Sequence, residues 1–143
     1  LVPKISEYAM KKFFFIPLLI LAFIQLSCSS NIPNEVIFKN FASGTIYINF
    51  LGEVLTLTTG TTKVFKDVQR GTYSYETSYE VPAAATGSSV EGAVSGDITL
   101  NPGTKVQVLY TSRLQGTGTQ LNYILSATIS SNDKITTEGT TSP

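Results

Sequence analysis

The feature that most constrains this chain is apolar alternation with a period of two. Ile46, Ile48 and Phe50 alternate with Tyr47 and Asn49, and Val106, Val108 and Tyr110 repeat the pattern. Leu121, Tyr123, Leu125, Ala127 and Ile129 carry it furthest. Successive side chains of a strand point to opposite faces, so each such segment buries one face and solvates the other. Turn formers separate the segments. Gly52 with Glu53 closes a hairpin over 45–58, and Gly60 breaks the chain before a short strand at Val64–Val68. Arg70 and Gly71 then turn it into Thr72–Tyr79, where the tyrosines share one face opposite Ser74, Glu76 and Ser78. Asp97–Leu100 is a strand ended by Asn101-Pro102-Gly103, and glycines 116 and 118 mark a last turn. The expectation is an all-β fold, a small antiparallel β-sandwich of about seven or eight strands over residues 35–131.

Two stretches lack the alternation. Pro82 to Gly96 is small and polar and reads as a long loop or a loose hairpin at one end of the sandwich. From Ser130 to Pro143 the chain is rich in Thr and Ser, too poor in apolar groups to offset its ordering entropy. A disordered tail is expected over 132–143, and removing everything from Ser130 should leave the melting temperature almost unchanged.

The N-terminal part obeys different physics. Met10 precedes Lys11 and Lys12, and Phe13 to Leu26 is an apolar run followed by small residues. That is the order of a secretory signal. A membrane span needs about 20 apolar residues, and this run is shorter and contains Pro17 and Gln25. Residues 1–9 are expected to be a reading-frame extension upstream of Met10, and 10–27 the signal peptide. Removing the first 27 residues takes away Lys4, Lys11, Lys12 and Glu7, which leaves the remainder mildly acidic.

Gln25-Leu26-Ser27-Cys28-Ser29-Ser30 resembles the lipobox of bacterial prolipoproteins. Ser27 matches the small residue before the cysteine, while Gln25 and Leu26 depart from the commonest pattern of leucine then a small residue. The resemblance implies a diacylglyceryl group on Cys28, acyl chains of the palmitate kind, and cleavage between Ser27 and Cys28. A thiolate is the nucleophile such a modification needs, and two or three chains give stable anchoring where one does not. Residues 28–34, with Pro33, would be the lipidated tether. The alternative is an ordinary secreted protein cut after Ser30. Ser29 and Ser30 resemble residues that permit passage to the outer membrane, and no acidic surface-export run follows Cys28.

The stretch Phe65-Lys66-Asp67-Val68-Gln69-Arg70-Gly71-Thr72-Tyr73 resembles the strand, turn and Gly-x-Tyr strand of small envelope sandwiches such as PEGA-type domains. It covers less than a tenth of the chain and implies a fold, not an activity.

Composition narrows the chemistry. With no histidine and a single cysteine, Ser-His-Asp and Cys-His catalysis and ordinary zinc sites are excluded. The single cysteine also forms no intrachain disulfide. A formal net charge of zero, with 14% charged residues, offers no basic field for nucleic acid. Glu76 and Glu80 share a strand face, but at about 3.3 Å per residue they lie too far apart for a retaining glycosidase pair. No Asp-x-Asp-x-Asp-Gly spacing suggests calcium, and Gly116-Thr117-Gly118 lacks the Lys and helix of a phosphate loop. No metal or cofactor is expected beyond the covalent lipid.

Aromatic contact remains. Tyr47 and Tyr79 are expected to be exposed and available for binding, whereas Tyr73, Tyr75, Tyr110 and Tyr123 fill the core. The sequence therefore points to a non-enzymatic, lipid-anchored envelope protein that touches a protein partner or the cell wall. The alternative is a glycan- or ligand-binding module using the 82–96 segment and an exposed tyrosine. A cluster of open aromatic rings would favour the alternative.

Overall fold

The computed structural model describes residues 32–133. The signal peptide, Ser27, Cys28, tether residues 28–31 and the tail from 134 onward lie outside the described residues. Within them the chain is all β. The strands are β1 (Asn34–Asn40), β2 (Ile46–Phe50), β3 (Glu53–Leu57), β4 (Thr62–Val68), β5 (Gly71–Tyr79), β6 (Gly87–Gly92), β7 (Gly96–Leu100), β8 (Lys105–Thr117) and β9 (Gln120–Ser131). They form a five-stranded sheet ordered β4-β1-β8-β9-β6 and a four-stranded sheet ordered β3-β2-β5-β7. The molecule is a β-sandwich, as the alternation requires.

The alternating residues meet between the sheets. Val36, Phe38, Ile46, Ile48, Phe50, Tyr75, Val106, Val108, Tyr110, Tyr123 and Leu125 are buried in one core. Phe38 and Phe50 touch edge-on with ring centroids 5.2 Å apart, and Phe65 packs on Phe50 at 5.1 Å. Edge-to-face packing suits the ring quadrupoles. The buried tyrosine hydroxyls all find partners: Tyr75 donates to the Ala93 carbonyl at 2.5 Å, Tyr123 to the Ser43 carbonyl at 2.6 Å, and Tyr110 bonds Thr77 Oγ1 at 2.7 Å.

The turns follow their sequences. β2 and β3 form the expected hairpin, with Leu51 (φ 54°) and Gly52 (φ 80°) both left-handed, the backbone of a type I′ turn. Phe65–Tyr73 carries β4 across to β5 in the other sheet, and the Tyr73 hydroxyl donates back to the Gln69 carbonyl at 2.9 Å. Such a corner bond fixes the crossing between sheets.

Several expectations need correction. The sheets are not purely antiparallel, because β1 runs parallel to β8 and β6 parallel to β9. Pro82–Gly96 is not a single loop. Gly87–Gly92 forms edge strand β6, after which the chain crosses through Ala93–Ser95 and continues in the other sheet as β7. A side chain at Gly92 (φ 70°) would run into the Ala127 carbonyl, so only glycine fits where β6 ends. Asn34, placed in the tether, is a buried residue of β1. Ser130 and Ser131 belong to β9, and Asn132 and Asp133, assigned to the tail, are bonded to the turn before β8. Their partners are distant in sequence, which local composition cannot reveal.

Candidate functional site

The strand directions give the sandwich two ends. β1 starts at what we term the entry end, together with the β4–β5 turn, the β7–β8 turn and Asn132–Asp133. The far end gathers the β1–β2 loop, the β3–β4 turn, the 80–86 segment and the β8–β9 turn.

The far end holds an aromatic ring that alternation did not reveal. Phe41 lies between Asn40 and Ala42, both fully buried, yet is 60% exposed. Its loop is held from several sides. Asn40 Nδ2 donates to the Gly44 carbonyl at 3.0 Å and the Leu57 carbonyl at 2.8 Å, while Asn40 Oδ1 accepts from the Ala42 N–H at 2.9 Å. The Phe41 N–H donates to the Tyr110 carbonyl at 2.8 Å, and the Ser43 N–H to Ser112 Oγ at 2.8 Å. An exposed aromatic on a pinned loop loses little backbone freedom when it binds.

Beside this loop β8 runs on past the end of β1, and Arg113 reaches across β9. Its guanidinium donates to both oxygens of Glu91, at 2.9 and 2.7 Å. In register the pair brackets Ile124 and Ser126 of β9, and Ile124 is buried to 4% although it faces away from the core. Hydrogen bonds from Arg113 hold the Glu91 carboxyl below the usual carboxylate range. Both partners are largely exposed, so the bridge fixes side-chain positions more than it stabilises the fold.

The two tyrosines singled out in the sequence are not brought together. Tyr47 lies on the outer face of the four-stranded sheet, half-buried, and its hydroxyl donates to Glu80 Oε1 at 2.7 Å. That bond lowers the Glu80 pKa and raises that of Tyr47. Tyr79 was expected to be exposed; instead it packs against the core, with its ring 5.8 Å from that of Tyr123. The reason is parity, since Tyr79 shares the inward face of β5 with Tyr75 and Tyr73. Tyr75, Tyr110 and Tyr123 are buried as expected, and Tyr73 is partly buried against the same core.

An open depression of about 150 Å³ lies among Ile37, Gln107, Ser130 and Asn132, below the several hundred Å³ typical of ligand pockets. No three acidic side chains converge on one point among the described residues; Glu80 is engaged by Tyr47, and Asp97 accepts from Ser74 Oγ at 2.6 Å.

No family model and no curated protein matches the chain. The site therefore rests on its own chemistry. Among the described residues that chemistry consists of an exposed ring on a hydrogen-bonded loop and an ion pair across the outer face of β9.

Proposed function

We propose that the chain is a non-enzymatic cell-envelope lipoprotein, anchored through lipid on Cys28 at the outer membrane, whose far end binds a protein partner through Phe41. Asn34 begins β1 six residues after Cys28, so a fully extended tether spans roughly 20 Å. The chain enters the sandwich at the end opposite the Phe41 loop. The observation that carries the reading is the exposure of Phe41 on a loop pinned by Asn40. Aromatic residues, phenylalanine among them, are enriched in the cores of protein interfaces. A glycan-binding module would be better supported by several open rings, whereas here Tyr79 is turned inward and the Tyr47 hydroxyl is engaged by Glu80.

The test has two arms. Mass spectrometry of the protein made in a lipoprotein-processing bacterium should find a lipid increment on Cys28, and Cys28→Ser should leave the chain uncleaved or soluble. Cross-linking in intact cells should capture one protein with the unsubstituted chain and lose it with Phe41→Ala. A lipid-free N terminus at Asn31 would overturn the anchor, and unchanged capture by Phe41→Ala would overturn the contact site.

A further inference from the structure

The two edges of the five-stranded sheet are treated differently by the sequence. Edge β4 carries exposed Lys63 and Lys66 and a bulge at Asp67 (φ 57°), where Asn34 and Glu35 face Val68 and Lys66 with one residue left over. Lysines and bulges are the usual devices that stop an open edge from accepting another strand. Edge β6 reads Gly87-Ser88-Ser89-Val90-Glu91-Gly92, with no lysine, proline or bulge, and all six residues are exposed. Its single charge is already neutralised, because Arg113 grips the Glu91 carboxylate. Val90, set beside buried Leu125 on the inward side, is 53% exposed.

From this contrast we infer that β6 is a strand-addition site, which takes an extended, uncharged peptide segment rich in β-branched side chains as a sixth strand. The inference rests on the reading that the protein acts by contact with a protein partner, and it names the form that partner takes. The edge supplies a row of solvated backbone donors and acceptors that another extended backbone can pair with in place of water, and main-chain bonds give such complexes their affinity. Val90 supplies an apolar contact on the inward side, where a β-branched residue of the added strand would cover it. Ser89 and Glu91 face outward beside Ile124 and Ser126, where a charged partner residue meets an ion pair already closed.

The probe is a capped six-residue peptide alternating Thr and Val, added to the purified full chain in detergent. Hydrogen exchange read by nuclear magnetic resonance should show slowed amides within Ser88–Glu91. Val90→Lys, which copies the guard on β4, should weaken binding by roughly tenfold or more, while Val90→Thr and Lys63→Ser leave it unchanged. The same peptide N-methylated at alternate residues should not bind. Equal binding by the N-methylated peptide, or no protection at β6, would overturn the inference. So would a dimer without peptide that Val90→Lys abolishes, since the edge would then belong to a second copy. Phe41→Ala should retain peptide binding, so failure of the far-end contact and failure of strand addition are told apart.

Discussion

The two ends of the sandwich use their polar and apolar residues in opposite ways. At the entry end polar side chains are drawn inward and matched. Asn34 Nδ2 donates to the Val68 carbonyl at 2.9 Å, and its Oδ1 accepts from the Thr104 N–H at 3.0 Å. The fully buried Thr104 donates through Oγ1 to Asp133, and Asn132 bridges Gly103 and Lys105. At the far end the polar residue Asn40 is also buried and matched, but its bonds hold an aromatic ring out in water. One end closes the fold where the chain enters and leaves it. The other uses similar bonds to present a side chain that folding alone would bury.

The contrast is broken outright if the layer between the ends fails, and alkaline pH is a clean way to reach it. Burial pushes the Tyr75 hydroxyl up to about 12. Burial also raises Tyr110, against the opposing pull of its Thr77 bond. Unfolded tyrosines ionise near pH 10, so above that value the unfolded state loses protons that the folded state keeps. The stability from these groups is complete below about pH 10 and falls as pH rises toward the folded values. We expect cooperative unfolding in that window, with two tyrosines ionising only as circular dichroism is lost. Full ionisation of every tyrosine with the β signal intact would refute this.

Next in size is Asn40→Ala. It removes the side-chain bonds to the buried Leu57 carbonyl and Ala42 N–H and leaves the Gly44 carbonyl only the longer bond from Thr59 Oγ1, at a cost of roughly 2–4 kcal/mol. The melting temperature should fall, and capture through Phe41 should fall with it. Phe41→Ala should remove capture while changing stability by no more than about 0.5 kcal/mol, because the ring is exposed. A large loss of stability from Phe41→Ala would mean that the ring supports the far end instead of serving a partner.

At the entry end, a chain stopped after Ser131 loses Asn132 and Asp133 and leaves the buried Thr104 hydroxyl without its carboxylate. We expect a loss of about 1–3 kcal/mol, or roughly 5–15 °C in melting temperature, measured against a chain stopped after Asp133. Equal melting temperatures would restore the expectation that Asn132 and Asp133 belong to a dispensable tail.

These residues also mark what was legible in the sequence. Period two placed β2, β5, the first half of β8 and β9, because the inward residues there are the apolar ones and show the face directly. It could not show direction, so the parallel pairs β1–β8 and β6–β9 were invisible. β6 went unseen for a different reason: an edge strand with both faces wet has no alternation to display. Asn34 and Asp133 are both bonded to Thr104, which lies 70 residues from Asn34 and 29 from Asp133, and composition near either gives no sign of it. For the site, Tyr79 was misplaced although its parity with Tyr73 and Tyr75 pointed inward. Phe41 was missed because no alternation marks a single exposed ring between two buried residues.

The smallest expected effect concerns Leu51. The first position of a type I′ turn favours Asn, Asp or Gly, and a branched side chain in the left-handed region costs about 1 kcal/mol. Leu51 stands there at φ 54° and is 45% exposed, so burial returns little of that cost. Leu51→Asn should therefore stabilise the domain by about 0.5–1 kcal/mol, seen as a small rise in melting temperature. Leu51 caps the β2–β3 hairpin near the entry end, separated from the Phe41 loop by the length of β2. The effects of Leu51→Asn and Phe41→Ala should then add without coupling, as independent sites do, and capture should be unchanged by the first alone. A loss of stability in Leu51→Asn would show that the leucine makes a contact worth more than its strain. A loss of capture would extend the binding surface along β2 and dissolve the division between the two ends.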